Sequence, residues 1–206
     1  MRLLYSALSP YARKARIIAL EKGFGDQLFL EAVSLGSDLE LLARFNPLGK
    51  IPVLVTDDGE ALYDSPVICD YLDSLSAHPR LIPAEGPARW TALRVQALAD
   101  GVMDAAVSLA GEARRPPEQR SAAWRERWMG AVSRGCAALD AEAVHWNEDL
   151  GDESLDIGRI AAISALGYVD LRLPDFDWRG GCSALAAWAA RISQRPSVAE
   201  TAPGKG

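Results

Sequence analysis

Asn46-Pro47-Leu48-Gly49-Lys50-Ile51-Pro52-Val53-Leu54, continuing through Asp57-Asp58-Gly59 to Asp64-Ser65-Pro66, is the stretch on which the fold turns. Ile51 to Thr56 is an apolar run of strand length, and Asp57-Asp58-Gly59 is a hairpin turn into a further strand, Glu60 to Tyr63. A proline at the start of a strand otherwise rich in Ile, Val and Leu forfeits a ladder N–H. That choice makes sense if the Ile51–Pro52 bond is cis and the Val53 main chain is offered to a ligand. Asp64-Ser65-Pro66 then couples a helix cap to a first-turn proline, and Val67, Tyr71 and Leu75 carry the helix that follows.

Upstream, Arg2 to Ser6 reads as a short strand. Ser9 caps a helix whose first residue is Pro10, Tyr11, Ala15 and Ile18 recur at helical spacing, and Gly23 ends it. Gln27 to Val33 is a strand, and Ser37-Asp38-Leu39-Glu40 is a capping box for a short helix that stops at Asn46-Pro47. The order over residues 1–76 is β-α-β-α-β-β-α, an α/β layer. Residues 77–87 hold three prolines and a glycine and read as a linker. Residues 88–206 offer no convincing strand. Helices are expected from Pro87 to Ala110, Pro117 to about Glu148, Ile157 to about Leu171 and Ser183 to Gln194. Ile160 to Val169 is apolar on every face, so that helix belongs at the centre. Beyond the Pro/Gly tail Pro203 to Gly206 there is no low-complexity tract.

Composition narrows the function. The chain has 206 residues, net charge −6 and an ordinary apolar content of 49%. With no Lys/Arg block it is a poor partner for nucleic acid or anionic membrane. No apolar run approaches the ~18 residues of a membrane span, and the N-terminus has no secretory leader pattern, so a cytoplasmic location is expected. Three scattered cysteines and two histidines leave little material for a disulfide framework, a metal centre or a Ser-His-Asp triad.

Ser9-Pro10-Tyr11-Ala12 occupies the place where thiol-redox folds carry Cys-Pro-Tyr-Cys. A helix N-terminus there lowers a thiol pKa through its dipole and free N–H groups. With serine and alanine at both cysteine positions, the chain keeps the electropositive end without a redox sulfur. Ser9 can donate to another molecule's thiolate, or it can simply cap the helix. Asp64-Ser65, at the next helix start, is a ready carboxylate site or again a cap.

Taken together, these motifs resemble the glutathione transferase family, with a thioredoxin-like first domain and an all-helical second. The likeness covers nearly the whole chain, including Arg195-Pro196-Ser197, and Ser9-Pro10-Tyr11-Ala12-Arg13 is similar to an omega-like pattern with serine in place of cysteine, as in small bacterial members. The resemblance implies glutathione as co-substrate, a cis Pro52, a Val53 main chain paired with the cysteinyl part, and Asp64 and Ser65 on the γ-glutamyl group. Lys50 belongs to the same binding set, and Ser9 is the catalytic candidate. It also implies a homodimer, for which Ala97, Gly101 and Ala105 give close helix packing.

Gln96, Asp100 and Asp104 share one stripe of the first helix of the second domain. Either this is a solvated face, partly compensated by Arg94, or Asp100 meets the ammonium of glutathione, across a dimer interface if need be. Arg13, Lys14 and Arg16 are expected on a solvated face. Tyr5 and Cys69 are expected in the core, and the six tryptophans mostly as packing residues. The family's Ser/Thr-x-x-Asp cap is Asp156-Ile157-Gly158-Arg159 here, in which Asp156 can cap but Arg159 cannot return the bond. The leading activity is conjugation of glutathione to a small electrophile. Glutathione-dependent reduction or dehalogenation, and a non-catalytic binding module, are the alternatives.

Overall fold

The computed structural model describes residues 1–146 and 155–204. The end of the helix expected near Glu148, and Lys205 and Gly206 of the tail, lie outside them. Strands β1 (Arg2–Tyr5), β2 (Phe29–Ala32), β3 (Val53–Val55) and β4 (Ala61–Leu62) form one sheet in the order β2-β1-β3-β4. β1 runs parallel to β2, and the β1–β3 and β3–β4 pairs are antiparallel. Helices α1 (Pro10–Glu21), α2 (Leu39–Phe45) and α3 (Ser65–Ser74) complete a thioredoxin-like α/β layer. The helical part comprises α4 (Gly86–Ala113), α5 (Ala122–Trp146), α6 (Ile157–Arg172), α7 (Trp178–Gly181), α8 (Ser183–Ile192) and α9 (Pro196–Glu200).

The element order matches the sequence reading, and so do several local signals. The Ile51–Pro52 bond is cis. Gly23 adopts φ 75° just past α1, where its N–H bonds to the Leu20 carbonyl, a turn open to glycine without strain. α6 is buried from Ile157 through Leu166, with α4 packed along it.

Other signals read differently in three dimensions. Asp38 does not cap α2, because its carboxylate turns back to accept from the Ser34 N–H at 2.8 Å. β2 lies at the sheet edge, which leaves Phe29 65% exposed. α7 and α9 are too short to carry a periodic signal, and Pro117 opens only a 3₁₀ turn ahead of α5. Trp146, Trp178 and Trp188 pack as expected, whereas Trp90 and Trp124 are mostly exposed.

The expected solvated face of Arg13, Lys14 and Arg16 is buried instead. α1 is covered on several sides at once, by α3, α4, α6 and α9, and these three positions face its neighbours rather than water. Each charged head finds a local answer. Arg13 donates to the Ile163 and Val198 carbonyls, Lys14 pairs with Asp100, and Arg16 lies over the Tyr5 ring.

The proline-rich segment after α3 is pinned. Lys22 Nζ donates to Asp73 and to the Ser76 and Pro79 carbonyls, while Asp73 accepts from the Leu81 and Ile82 N–H groups. Arg195-Pro196-Ser197 also acquires a physical role. Arg195 and Ser197 both donate to Glu21, tying α9 to the end of α1. Burial opposes ionisation of Glu21, but those hydrogen bonds outweigh it and hold the carboxyl below its ordinary range. A depressed folded-state pKa means stability present above the unfolded value of ~4.3 and lost as pH falls through the folded one. Glu21→Gln is therefore expected to cost about 1–2 kcal/mol near pH 7 and progressively less in acid. Urea midpoints across pH check this, and a pH-independent difference would contradict it.

Candidate active site at the first helix N-terminus

Ser9 sits at φ −81°, ψ 120°, the extended geometry of an N-cap, and its Oγ accepts from the Ala12 N–H at 3.2 Å. That bond uses the oxygen as an acceptor and leaves the hydroxyl proton free to donate. The two sequence readings of Ser9, cap and donor, are thus compatible.

The sheet register brings the second element in. Val53 stands opposite Leu4, so Pro52 lies level with the end of β1, beside the turn that leads to Ser9. Val53 is fully buried. Asn46 braces the loop before it, donating from its side chain to the Lys50 carbonyl at 2.9 Å and accepting from the Leu48 N–H at 3.0 Å. The Lys50 side chain is exposed.

Asp64 is the N-cap of α3 in backbone terms only, because its carboxylate makes no capping hydrogen bond. Ser65 is the first helical residue and is 2% exposed. Its hydroxyl has no partner among the described residues. The cap expected from this pair is therefore absent, and both groups remain available at the positive end of a helix.

α4 supplies the opposite wall. Lys14 Nζ lies 2.7 and 2.9 Å from the two Asp100 oxygens, and the Tyr11 hydroxyl donates to Asp104. The carboxylate stripe is thus compensated from α1. Arg94 pairs with Glu142 at 2.7 Å. Burial raises the Asp100 pKa above its ordinary value, Lys14 pulls it down, and the nearby Asp104 and Asp64 charges push it up again. The last effect brings the α3 cap and the α4 stripe into one electrostatic neighbourhood. Tyr11 is also pushed up, by burial first and then by Asp104, so it stays a neutral donor. These α1–α4 contacts were missed in the sequence, although Tyr11 and Lys14 are one turn apart, as are Asp100 and Asp104, and complementary pairs at matching spacing are a usable signal.

Cys69, behind this wall, is fully buried and pushed up by that burial to about 12. Among the described residues no cluster of His, Cys, Asp and Glu could hold a metal, and no helix is long and apolar enough to cross a membrane.

Comparison with known proteins decides the family. Residues 8–75 match the model of the glutathione S-transferase N-terminal domain and residues 122–191 that of its C-terminal domain. The chain belongs to the glutathione S-transferase family. Its relatives in that family include the GST-like protein YibF of Escherichia coli (strain K12), 33% identical over 205 residues and the full length of both chains. A glutathione transferase family member from Pseudomonas fluorescens Pf-5, solved with bound glutathione, is 41% identical, with a TM-score of 0.91 over 98% of each chain. A glutathione S-transferase from Methylobacillus flagellatus KT, also solved with glutathione, is 41% identical, with a TM-score of 0.86 over 98% of each chain. In this family member Asp156 does cap α6, accepting from the Arg159 N–H at 2.9 Å. Arg159, out of place in the family pattern, is buried over the Trp146 ring.

Proposed function

We propose that this transferase-family protein binds glutathione, stabilises its thiolate beside Ser9 and conjugates it to a small electrophile bound next to it. The observation that carries the reading is the start of α3, where Ser65, a buried residue whose hydroxyl has no partner among the described residues, adjoins an Asp64 carboxylate that makes no capping bond. Ser65 and the α3 N–H groups suit the γ-glutamyl carboxylate, and Asp64 with Asp100 suits its ammonium. The main chain at Pro52 and Val53 takes the cysteinyl part, and Lys50, at the loop edge, reaches the glycyl carboxylate. The bound glutathione of the Pseudomonas and Methylobacillus neighbours supports glutathione as the ligand.

In the reaction the bound thiol gives its proton to solvent, and the thiolate accepts the Ser9 O–H as a hydrogen bond. It then forms the C–S bond as the leaving group departs. Each unit by which Ser9 and the α1 dipole lower the thiol pKa is worth about 1.4 kcal/mol. Glutathione-dependent reduction through a protein sulfur is less well served, because Cys69, Cys136 and Cys182 are all buried.

Two variants test the reading. Ser9→Ala is expected to raise the pH at which bound glutathione ionises, seen in thiolate ultraviolet absorbance, and to slow conjugation about tenfold while affinity changes little. Unchanged ionisation and rate would reduce Ser9 to a cap. Ser65→Ala is expected to weaken glutathione binding about tenfold with little loss of stability, since Ser65 makes no capping bond. Equal loss in both would sink the binding role. A homodimer is also part of the proposal. Ala97, Leu98 and Gly101 on α4, with Gly135 and Ala138 on α5, line a groove of about 480 Å³ that a second copy can enter. Light scattering should give twice the 22.2 kDa chain mass, and a monomer at micromolar concentration would refute it.

A further inference from the structure

The two ends of α5 differ. Near its end, Asp140 accepts from the Leu185 N–H at 2.8 Å and Trp146 packs on Trp188, so α8 lies against it. At its start, Arg125, Glu126 and Arg127 are exposed, and Trp124 keeps 52% of its surface in water.

That tryptophan is held in place. Its ring stacks on Trp128, one turn on, with centroids 5.5 Å apart and planes 28° from parallel. Trp128 in turn packs against the core. Arg127 Cζ lies 5.6 Å from the Trp124 centroid, on the same helical stripe. A ring fixed in this way presents an apolar plane with little freedom left to lose on binding.

Charge sets the sign of the partner. Residues 112–134 hold six arginines against three glutamates, in a chain of net charge −6. Arg115 lies 3.6 Å from Glu112, and Arg120 donates to the Ala113 and Arg115 carbonyls. Among the described residues Arg114, Arg125 and Arg127 pair with no carboxylate, and Glu118 and Glu126 offset only part of their charge. The α5 dipole adds its positive end at the same place. Tryptophan and arginine are also the side chains that dominate protein interfaces. An extended polyanion fits less well. It would run past two helical turns, about 11 Å, onto a chain whose other residues are net acidic.

We propose that the start of α5 is a docking surface for a short acidic segment of a partner protein, whose carboxylates pair with Arg125 and Arg127 and whose aromatic side chain stacks on Trp124. It stands independently of the glutathione reading.

The test uses the full chain and fluorescence anisotropy of a labelled peptide, Asp-Glu-Asp-Phe-Glu-Asp-Leu-Asp. Its Asn/Gln counterpart and a labelled twelve-nucleotide oligothymidylate are the controls. Saturable binding is expected for the acidic peptide, with the neutral peptide and the oligonucleotide at least about tenfold weaker. Trp124→Ala should weaken the acidic peptide about tenfold, and Arg125→Glu with Arg127→Glu by more than that. These positions are exposed, so the melting temperature should hold. Should the charge reversal disturb α5, Arg125→Gln with Arg127→Gln serves in its place. No binding at millimolar peptide, equal binding of the neutral peptide, or indifference to the substitutions would overturn the proposal. Tighter binding of the oligonucleotide would overturn it in favour of nucleic acid. A change of mass by light scattering in Trp124→Ala would overturn it in favour of a contact between copies of this chain.

Discussion

Gly158→Ala is expected to destabilise the protein by about 3 kcal/mol, at the upper end of overpacking costs. For a chain of this size that lowers the melting temperature by roughly 10 °C. The motive is distance. A Cβ built on Gly158 would lie 2.7 Å from Val95 Cβ, 2.9 Å from Val95 Cγ1 and 2.8 Å from the Ala92 carbonyl oxygen. The backbone oxygen cannot rotate away, so α6 would have to move off α4, along which it packs. Against this, alanine is preferred over glycine in a helix by about 1 kcal/mol, and that gain is already netted from the figure. Gly111→Ala is the matched control, because a Cβ there meets nothing within 4 Å. It should be neutral or stabilising by up to about 1 kcal/mol. If thermal melts place the two variants together, the close approach of α4 and α6 does not limit stability.

This glycine shows where sequence reasoning stops. Asp156 was legible as a cap and Ile157 as a helix start, because both depend on neighbours in the chain. Gly158 was only part of an imperfect capping pattern, since its necessity comes from α4, some sixty residues away. The same division runs through the first domain. The strands fall where expected but are shorter, β2 covering only Phe29–Ala32 of Gln27 to Val33 and β3 only Val53–Val55 of Ile51 to Thr56. The hairpin at Asp57-Asp58-Gly59 and the order β-α-β-α-β-β-α follow from local patterning and emerge intact. The fates of Arg13, Lys14 and Arg16 do not, because local polarity says nothing of how many layers will cover a helix. In the site, Ser9, Pro52, Asp64 and Ser65 were found as motifs. Sequence could not show that the Asp64 side chain makes no cap or that the Ser65 hydroxyl lacks a partner among the described residues, and the proposed ligand position rests on those two facts.

Lys14→Met is expected to cost about 2–3 kcal/mol near neutral pH and to lose most of that cost when Asp100 is also replaced by leucine. The Lys14 ammonium is fully buried and holds both oxygens of Asp100, whose side chain keeps 21% of its surface. Removing one partner of a buried pair typically costs 3–5 kcal/mol, because the other charge is stranded. The lower figure reflects the water Asp100 still touches. The pH dependence has a definite sign. Burial, and the Asp104 and Asp64 charges, already push Asp100 above its ordinary value against the pull of Lys14. Without Lys14 it rises further, so the stranded charge destabilises at high pH and is relieved as Asp100 takes up a proton. The gap from the parent protein in urea midpoint should therefore narrow as pH falls. The double variant Lys14→Met, Asp100→Leu separates structure from ligand binding. An apolar pair of similar volume often matches a buried ion pair in stability, so its fold should survive. If Asp100 also receives the glutathione ammonium, that well-folded double variant will bind glutathione about tenfold more weakly. A single variant within ~0.5 kcal/mol of the parent would mean that α1 and α4 are held together by apolar packing. Normal affinity in the double variant would leave Asp64 alone to meet the ammonium.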